Sequence, residues 1–373
     1  MSEYQYYEFQ ALDRALTSQE QKTLQALSSR AQVTPHRASF VYHYGDFRGD
    51  PEAILAQYFD AMLYLANWGT WQLMFRLPKA LVDPAWFKPY EIEDAITVST
   101  TVDHLILNIE IRDEEGMMGW VEGEGWLPQL LPLRDDLLAG DLRVLYLAWL
   151  RLCPNLMAYD EDEDPLEPPL PPNLGKLTQP LMDYMELVGL DTDLVAAAAQ
   201  ASPSHQPAPA PPLEEWLPQL TEVERQQFLL KLVRREPHVD LQLINRLKEL
   251  AAADLPLPPS PAPGQRRFSD LMAIAADEQT KRQQKEQAAA QKKRIKALEA
   301  LAPKAEKTWD RVLDLIQVKQ AYAYDEATKL LKDLRDLAEH QGQLPAFSQR
   351  LERLKTDYSN RPALMKRLRS IRT

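Results

Sequence analysis

The residues able to do acid/base, nucleophilic or metal chemistry are few in this 373-residue chain, and they lie far apart. The six histidines are His36, His43, His104, His205, His238 and His340, and none is spaced with another histidine or with a cysteine as a zinc site requires. His43 alternates with aromatics in a strand-like run and precedes Asp46 by three residues. It is either half of an acid/base pair or, as the simpler expectation, a histidine held in a sheet. The single cysteine, Cys153, lies in the apolar run YLAWLRLC. That excludes a disulfide or a cysteine zinc site within one chain and points to a buried, inert thiol. The acidic run DEDED at 160–164 has the charge to attract calcium but lacks the glycine and terminal glutamate spacing of an EF-hand loop, so a solvated linker is expected. No metal and no cofactor is expected.

Phosphate-cradling loops need glycines at fixed spacing, and the 12 glycines here form neither a dinucleotide-binding nor a P-loop pattern. Gly175-Lys176-Leu177-Thr178 has the end of a phosphate loop without its upstream glycine, and Gly123-Glu124-Gly125 reads as a turn. No nucleophile elbow is present. These absences favour a non-enzymatic protein, with an enzyme of unrecognised type in the N-terminal domain as an alternative.

Charge is more informative. The formal net charge of −12 divides unevenly: residues 1–200 hold 13 Lys+Arg against 32 Asp+Glu, whereas residues 266–373 hold 24 against 15. The basic surplus is concentrated at Lys292, Lys293 and Arg294, and at Lys366, Arg367, Arg369 and Arg372, which are the candidate electrostatic contact residues. Such clusters could neutralise nucleic-acid phosphates, but neither has an interleaved aromatic for base stacking. A solvated helix face, or a contact with the acidic half, is the simpler expectation. The aromatics Tyr4, Tyr6, Tyr7, Phe9, Tyr42, Tyr44, Trp68 and Trp71 either line a groove or, as is usual for strand aromatics, pack in the core.

The elements that must position these groups follow from periodicity. An α+β domain is expected over 1–200, with a largely antiparallel sheet of about five strands: Tyr4–Leu12, Ser39–Tyr44, Trp71–Leu77, Ile96–Thr100 and Leu105–Ile111. Thr17 with Glu20 forms a capping box, and Asp50 and Pro51 open a helix whose stripe runs Ile54, Leu55, Tyr58, Met62 and Leu65 to a stop at Gly69. A further helix is expected over Leu137–Cys153 and a helical run over Leu181–Ala201. The acidic, proline-rich stretch 160–173 should lack regular structure, and 201–212 and 255–265 read as proline-rich linkers. Between them, 213–254 is a small helical pair with a capping box at Thr221 and Glu224 and a stripe of Phe228, Leu229, Leu232 and Val233. Residues 266–373 are a basic, all-α C-terminal region in which 278–294 has no large apolar residue, and a compact bundle is expected from about 305. WLPQL occurs twice, at 126–130 and 216–220, without wider similarity.

The stretch from Trp309 to Leu368, containing YDEATKLLKDLRDLAEHQGQLPAFSQRLERLKTDYSNRPALMKRL, resembles the C-terminal helical segment of bacterial proteins that carry, or are associated with, SWIM-type zinc fingers. YQYYEFQALDRALTSQEQKTLQALSSR and GDFRGDPEAILAQYFDAMLYLANWGT resemble an uncharacterised bacterial family with the same overall layout. The zinc-finger ligands are missing from this chain, so the resemblance implies a separate zinc-finger protein as partner. With no apolar run near the roughly 18 residues of a membrane span and no signal-peptide pattern at the N-terminus, a cytoplasmic adaptor or complex subunit with a protein partner and no membrane contact is expected. A nucleic-acid-associated accessory protein acting through the basic helices is the alternative.

Overall fold

The computed structural model describes residues 3–113, 122–159, 164–204, 213–251 and 264–371. By contacts the chain divides into two compact units, Met1–Glu278 and Gln279–Thr373.

The first unit is built on a seven-stranded sheet in the order β2-β3-β1-β4-β5-β7-β6, antiparallel throughout. Its strands are β1 (Gln5–Gln10), β2 (Gln32–Val33), β3 (Arg37–Tyr42), β4 (Ala61–Ala66), β5 (Thr70–Pro78), β6 (Ile96–Thr100) and β7 (His104–Arg112). Alternation sends Tyr7, Phe9, Phe40, Met62, Met74 and Ile106 into one core. Leu24 of α1 (Ser18–Gln25) and Ile54 and Leu55 of α2 (Pro51–Tyr58) join that core. Leu63, Leu65, Trp71, Leu73, Phe75, Leu107 and Ile109 enter a second core. It is shared with α3 (Trp126–Leu130), α4 (Pro132–Leu138), α5 (Arg143–Tyr159), α6 (Gln179–Val188) and α7 (Thr192–Ala199). Both expected N-caps of α1 and α2 form: Thr17 and Glu20 exchange hydrogen bonds, and the Asp50 carboxylate accepts from the N–H groups of Glu52 and Ala53.

Sheet and expectation part at two places. The stripe read as one helix through Met62 and Leu65 is interrupted after Tyr58, and Ala61–Ala66 is a strand. β4 is central and covered on both faces, so its run AMLYLA is continuously apolar, and two of its residues fall on helical spacing by coincidence. Gly69 then closes a β4–β5 hairpin rather than a helix: its φ is +91°, and an added Cβ would stand 2.6 Å from the Asp113 carbonyl oxygen. The helix expected over Leu137–Cys153 is likewise two helices, parted at Gly140 with φ +83°. Cys153 is buried.

The second core does not end at residue 200. Phe268, Leu271 and Ala275, from the start of α11 (Phe268–Leu301), are buried members of it. Their approach is fixed by an antiparallel bridge between Leu166 and Arg267, in which the Glu167 N–H donates to the Arg266 carbonyl and the Phe268 N–H to that of Pro165. The part of 160–173 that is described is thus ordered against the chain that follows the second linker; 160–163, 205–212 and 252–263 lie outside the described residues. The helical pair, α9 (Glu222–Val233) and α10 (Val239–Ala251), preceded by α8 (Leu213–Trp216), has a small core of Trp216, Leu220, Leu247 and Ala251.

In the second unit α11 remains helical through Gln279–Arg294, all exposed. Ala, Gln, Lys and Glu are strong helix formers, which suits a helix without a buried face. The bundle comprises α12 (Ala305–Gln317), α13 (Ala321–His340), α14 (Leu344–Asp357) and α15 (Pro362–Leu368). Trp309, Val312 and Ile316 meet Tyr324, Ala327, Leu331 and Leu334, then Phe347, Leu351 and Leu354, over Leu364 and Leu368. Leu313, four residues on from Trp309, is 38% exposed, whereas Val312 is fully buried. Among the described residues no helix is long and apolar enough to cross a membrane.

Candidate functional site

Three clusters of charge stand out, two buried and one open. The first buried cluster gathers Asp13, Asp60, Arg76, Arg134 and His238. Asp60, at the entry to β4, accepts the N–H groups of Leu12 and Asp13 through Oδ2 and, through Oδ1, Nε and Nη2 of Arg76 at 3.2 and 2.7 Å. Arg134 of α4, only 1% exposed, forms a fork onto Asp13 at 3.0 and 2.8 Å, and its Nε donates to the Arg76 carbonyl. His238 Nε2 lies 2.7 Å from Asp13 Oδ1. An aspartate–histidine pair has the chemistry of an acid/base dyad, but here Asp13 and Asp60 spend their oxygens on backbone amides and guanidinium groups. That pattern ties the loop after β1 to β4, β5 and α4. Burial would raise the Asp13 carboxyl, yet the hydrogen bonds from His238 and Arg134 outweigh it and hold the group well below the usual carboxylate range.

Tyr146, Glu167 and Arg266 form a second buried set. Arg266 places Nε 3.0 Å from Glu167 Oε2 and also donates to the carbonyls of Ala197 and Ala198 at the end of α7, while the Tyr146 hydroxyl donates to Glu167. Burial, then the bond to Glu167, drives the Tyr146 hydroxyl far above its ordinary range. This set also ties backbone segments together. His43, expected as a histidine held in a sheet with a pair to Asp46 as the alternative, lies one residue beyond the end of β3 at Tyr42 and is exposed, with its ring against Tyr4. Of the N-terminal aromatics, Tyr7 stacks between Phe47 and Tyr64 in the core, whereas Tyr44 and Trp68 are exposed. Among the described residues no group of three or more His, Cys, Asp or Glu is arranged to hold a metal ion.

The open cluster lies on the helical bundle. A groove of about 520 Å³ between α13 and α15 is lined by Asp325, Thr328, Lys329, Lys332, Lys366, Arg367 and Ser370. Residues 325, 328, 329 and 332 recur at helical spacing and so share one face of α13, while Leu364 and Leu368 anchor α15 beneath. Two of the seven basic candidates, Lys366 and Arg367, therefore meet two lysines, Lys329 and Lys332, that the sequence did not single out. In the sequence these lie among acidic residues, in DEATKLLKDLRD, where no local surplus marks them; only the i, i+3 spacing does.

Arg367 is held by Asp325 at 2.6 Å, and that bond keeps the Asp325 carboxyl below its ordinary range. Lys329, Lys332 and Lys366 have no ion-pair partner among the described residues. The other candidates go elsewhere. Arg294 is spent on Asp333, at 3.0 Å, and on Asp336 of α13; Lys292, Lys293 and Arg369 are exposed, and Arg372 lies outside the described residues. No known protein family, characterised protein or solved structure matches the chain.

Proposed function

We propose that this protein is a non-enzymatic adaptor or complex subunit that holds an acidic segment of a protein partner in the groove between α13 and α15. One observation carries this: three lysines without carboxylate partners among the described residues converge on one open groove. Ammonium groups on flexible stems suit carboxylates presented by an extended peptide. The lining residues include no aromatic on which a base could stack, which favours protein over nucleic acid. The resemblance to proteins associated with SWIM-type zinc fingers makes such a protein the first partner to try.

The test is affinity purification of the full chain beside the variant Lys329→Glu/Lys332→Glu/Lys366→Glu, with a fluorescent oligoglutamate peptide and a single-stranded oligonucleotide as defined probes. A protein partner lost with the variant, and peptide affinity reduced at least about tenfold, support the proposal. Co-purification unaffected by the variant overturns it. Oligonucleotide binding that outlasts physiological salt, and exceeds peptide binding, would install the nucleic-acid reading in its place.

A further inference from the structure

Of the four cations lining the groove between α13 and α15, only Arg367 carries a planar fork, and that fork is already filled. Its Nε and Nη2 donate to Oδ1 and Oδ2 of Asp325 at 2.6 and 3.3 Å, and its Nη1 donates to the Ala363 carbonyl at 3.0 Å. The pair joins the second turn of α13 to the last turn of α15, with side chains 65 and 27% exposed for Asp325 and Arg367. Asp325 is the one carboxylate among the residues that line the groove.

A guanidinium and an ammonium recognise carboxylates differently. The fork presents two parallel N–H groups that fit both oxygens of one carboxylate, whereas an ammonium is a point charge on a flexible stem. With the fork filled from within the chain, the groove offers an incoming segment three point charges and no bidentate site. Given the acidic-segment reading of the groove, on which this rests, we infer that Asp325 is a specificity-determining residue: it caps Arg367, so that the groove takes a segment carrying several carboxylates and has little grip on a single one. Exposed pairs of this kind contribute little to stability, and α15 is anchored by the buried Leu364 and Leu368, so the cap can be removed with the bundle intact.

Fluorescence anisotropy of the full chain with the labelled oligoglutamate peptide separates the roles. Asp325→Asn should tighten binding about three- to tenfold, because the freed fork adds a charge-assisted bidentate contact. Asp325→Asn/Arg367→Gln, in which both ends of the pair are neutral, should return to within about twofold of the parent chain, since a capped arginine makes no contact with the peptide. Glu306→Gln controls for charge alone: it takes one carboxylate from another exposed pair of the bundle, with Arg350 at 2.8 Å and outside the groove, and should change affinity by less than about twofold. In the parent chain a peptide of equal length with one glutamate should bind at least about tenfold more weakly than oligoglutamate. Circular dichroism should match the parent throughout. The role of Asp325 is overturned, with the groove reading left standing, by no gain in Asp325→Asn, by a gain that survives the loss of Arg367 or is matched by Glu306→Gln, or by a single glutamate that binds as tightly as many. Oligoglutamate binding indifferent to Lys329→Glu/Lys332→Glu/Lys366→Glu overturns both.

Discussion

His238 Nε2 and Asp13 Oδ1 are 2.7 Å apart although 225 residues separate them in the chain. The contact fixes the loop ahead of α10 to the loop that leaves β1, and His238 holds it from a left-handed backbone with φ 56°. Arg134 approaches the same imidazole nitrogen at 3.3 Å, so helix α4, the sheet and the helical pair converge on one carboxylate.

Acid should loosen this junction. A carboxyl whose value is lowered in the folded state stabilises the fold above its unfolded value, near ~3.9, and that contribution is lost as pH falls through the folded-state value. Asp13→Asn is expected to lose stability at neutral pH and to show a flatter decline in acid. Urea melts at neutral pH and at about pH 3 check this; a variant with an unchanged acid limb would refute it.

Arg134→Met should be among the most damaging single substitutions. It removes the guanidinium fork from Asp13 and a 3.5 Å contact from Asp60, and breaking such a buried pair typically costs about 3–5 kcal/mol. Equilibrium denaturation is the measurement. A loss under ~1 kcal/mol would mean that the cluster contributes little to stability.

Two glycines separate backbone strain from crowding. Gly69 and Gly45 both have positive φ, at +91° and +78°, but an added Cβ meets the Asp113 carbonyl at Gly69 and nothing within 4 Å at Gly45. Both alanine variants should lower the melting temperature, and Gly69→Ala should do so by at least twice as much. Equal shifts would show that the hairpin and Asp113 move apart freely.

Arg266→Ala should open the bridge at Leu166. Its guanidinium serves Glu167 and two α7 carbonyls, and Gly264, two residues earlier, approaches the Glu167 carbonyl so closely that a Cβ would lie 2.1 Å away. Limited proteolysis of the variant should cut within 164–168, where the parent chain is expected to resist. Equal cleavage of the two would count against the bridge as a constraint.

Local rules were legible wherever a few neighbouring residues decide the outcome. The caps at Thr17, Asp50 and Thr221 and the alternation in β5 and β7 are of this kind. What escaped depends on partners remote in sequence. β4 reads as helix until its two buried faces are known, and α9 reads as buried until its neighbours turn out to cover only Phe228. The groove lay half in view: Lys366 and Arg367 belong to an obvious basic run, whereas Lys329 and Lys332 acquire meaning only when α15 folds across α13. His238 and Asp13, unremarkable singly, are paired by tertiary structure alone.

The burial of Phe268, Leu271 and Ala275 in the core of the sheet has a temporal consequence. A ribosome that has finished α7 must still make some 75 residues, through two proline-rich stretches, before these side chains exist. At ~5–20 residues per second that is on the order of 4–15 s in which the nascent domain carries an open apolar socket. Chaperone engagement should therefore be concentrated on nascent chains ending between about residues 200 and 275, and a stop codon placed anywhere in that interval should yield a product that is degraded rather than a usable N-terminal half.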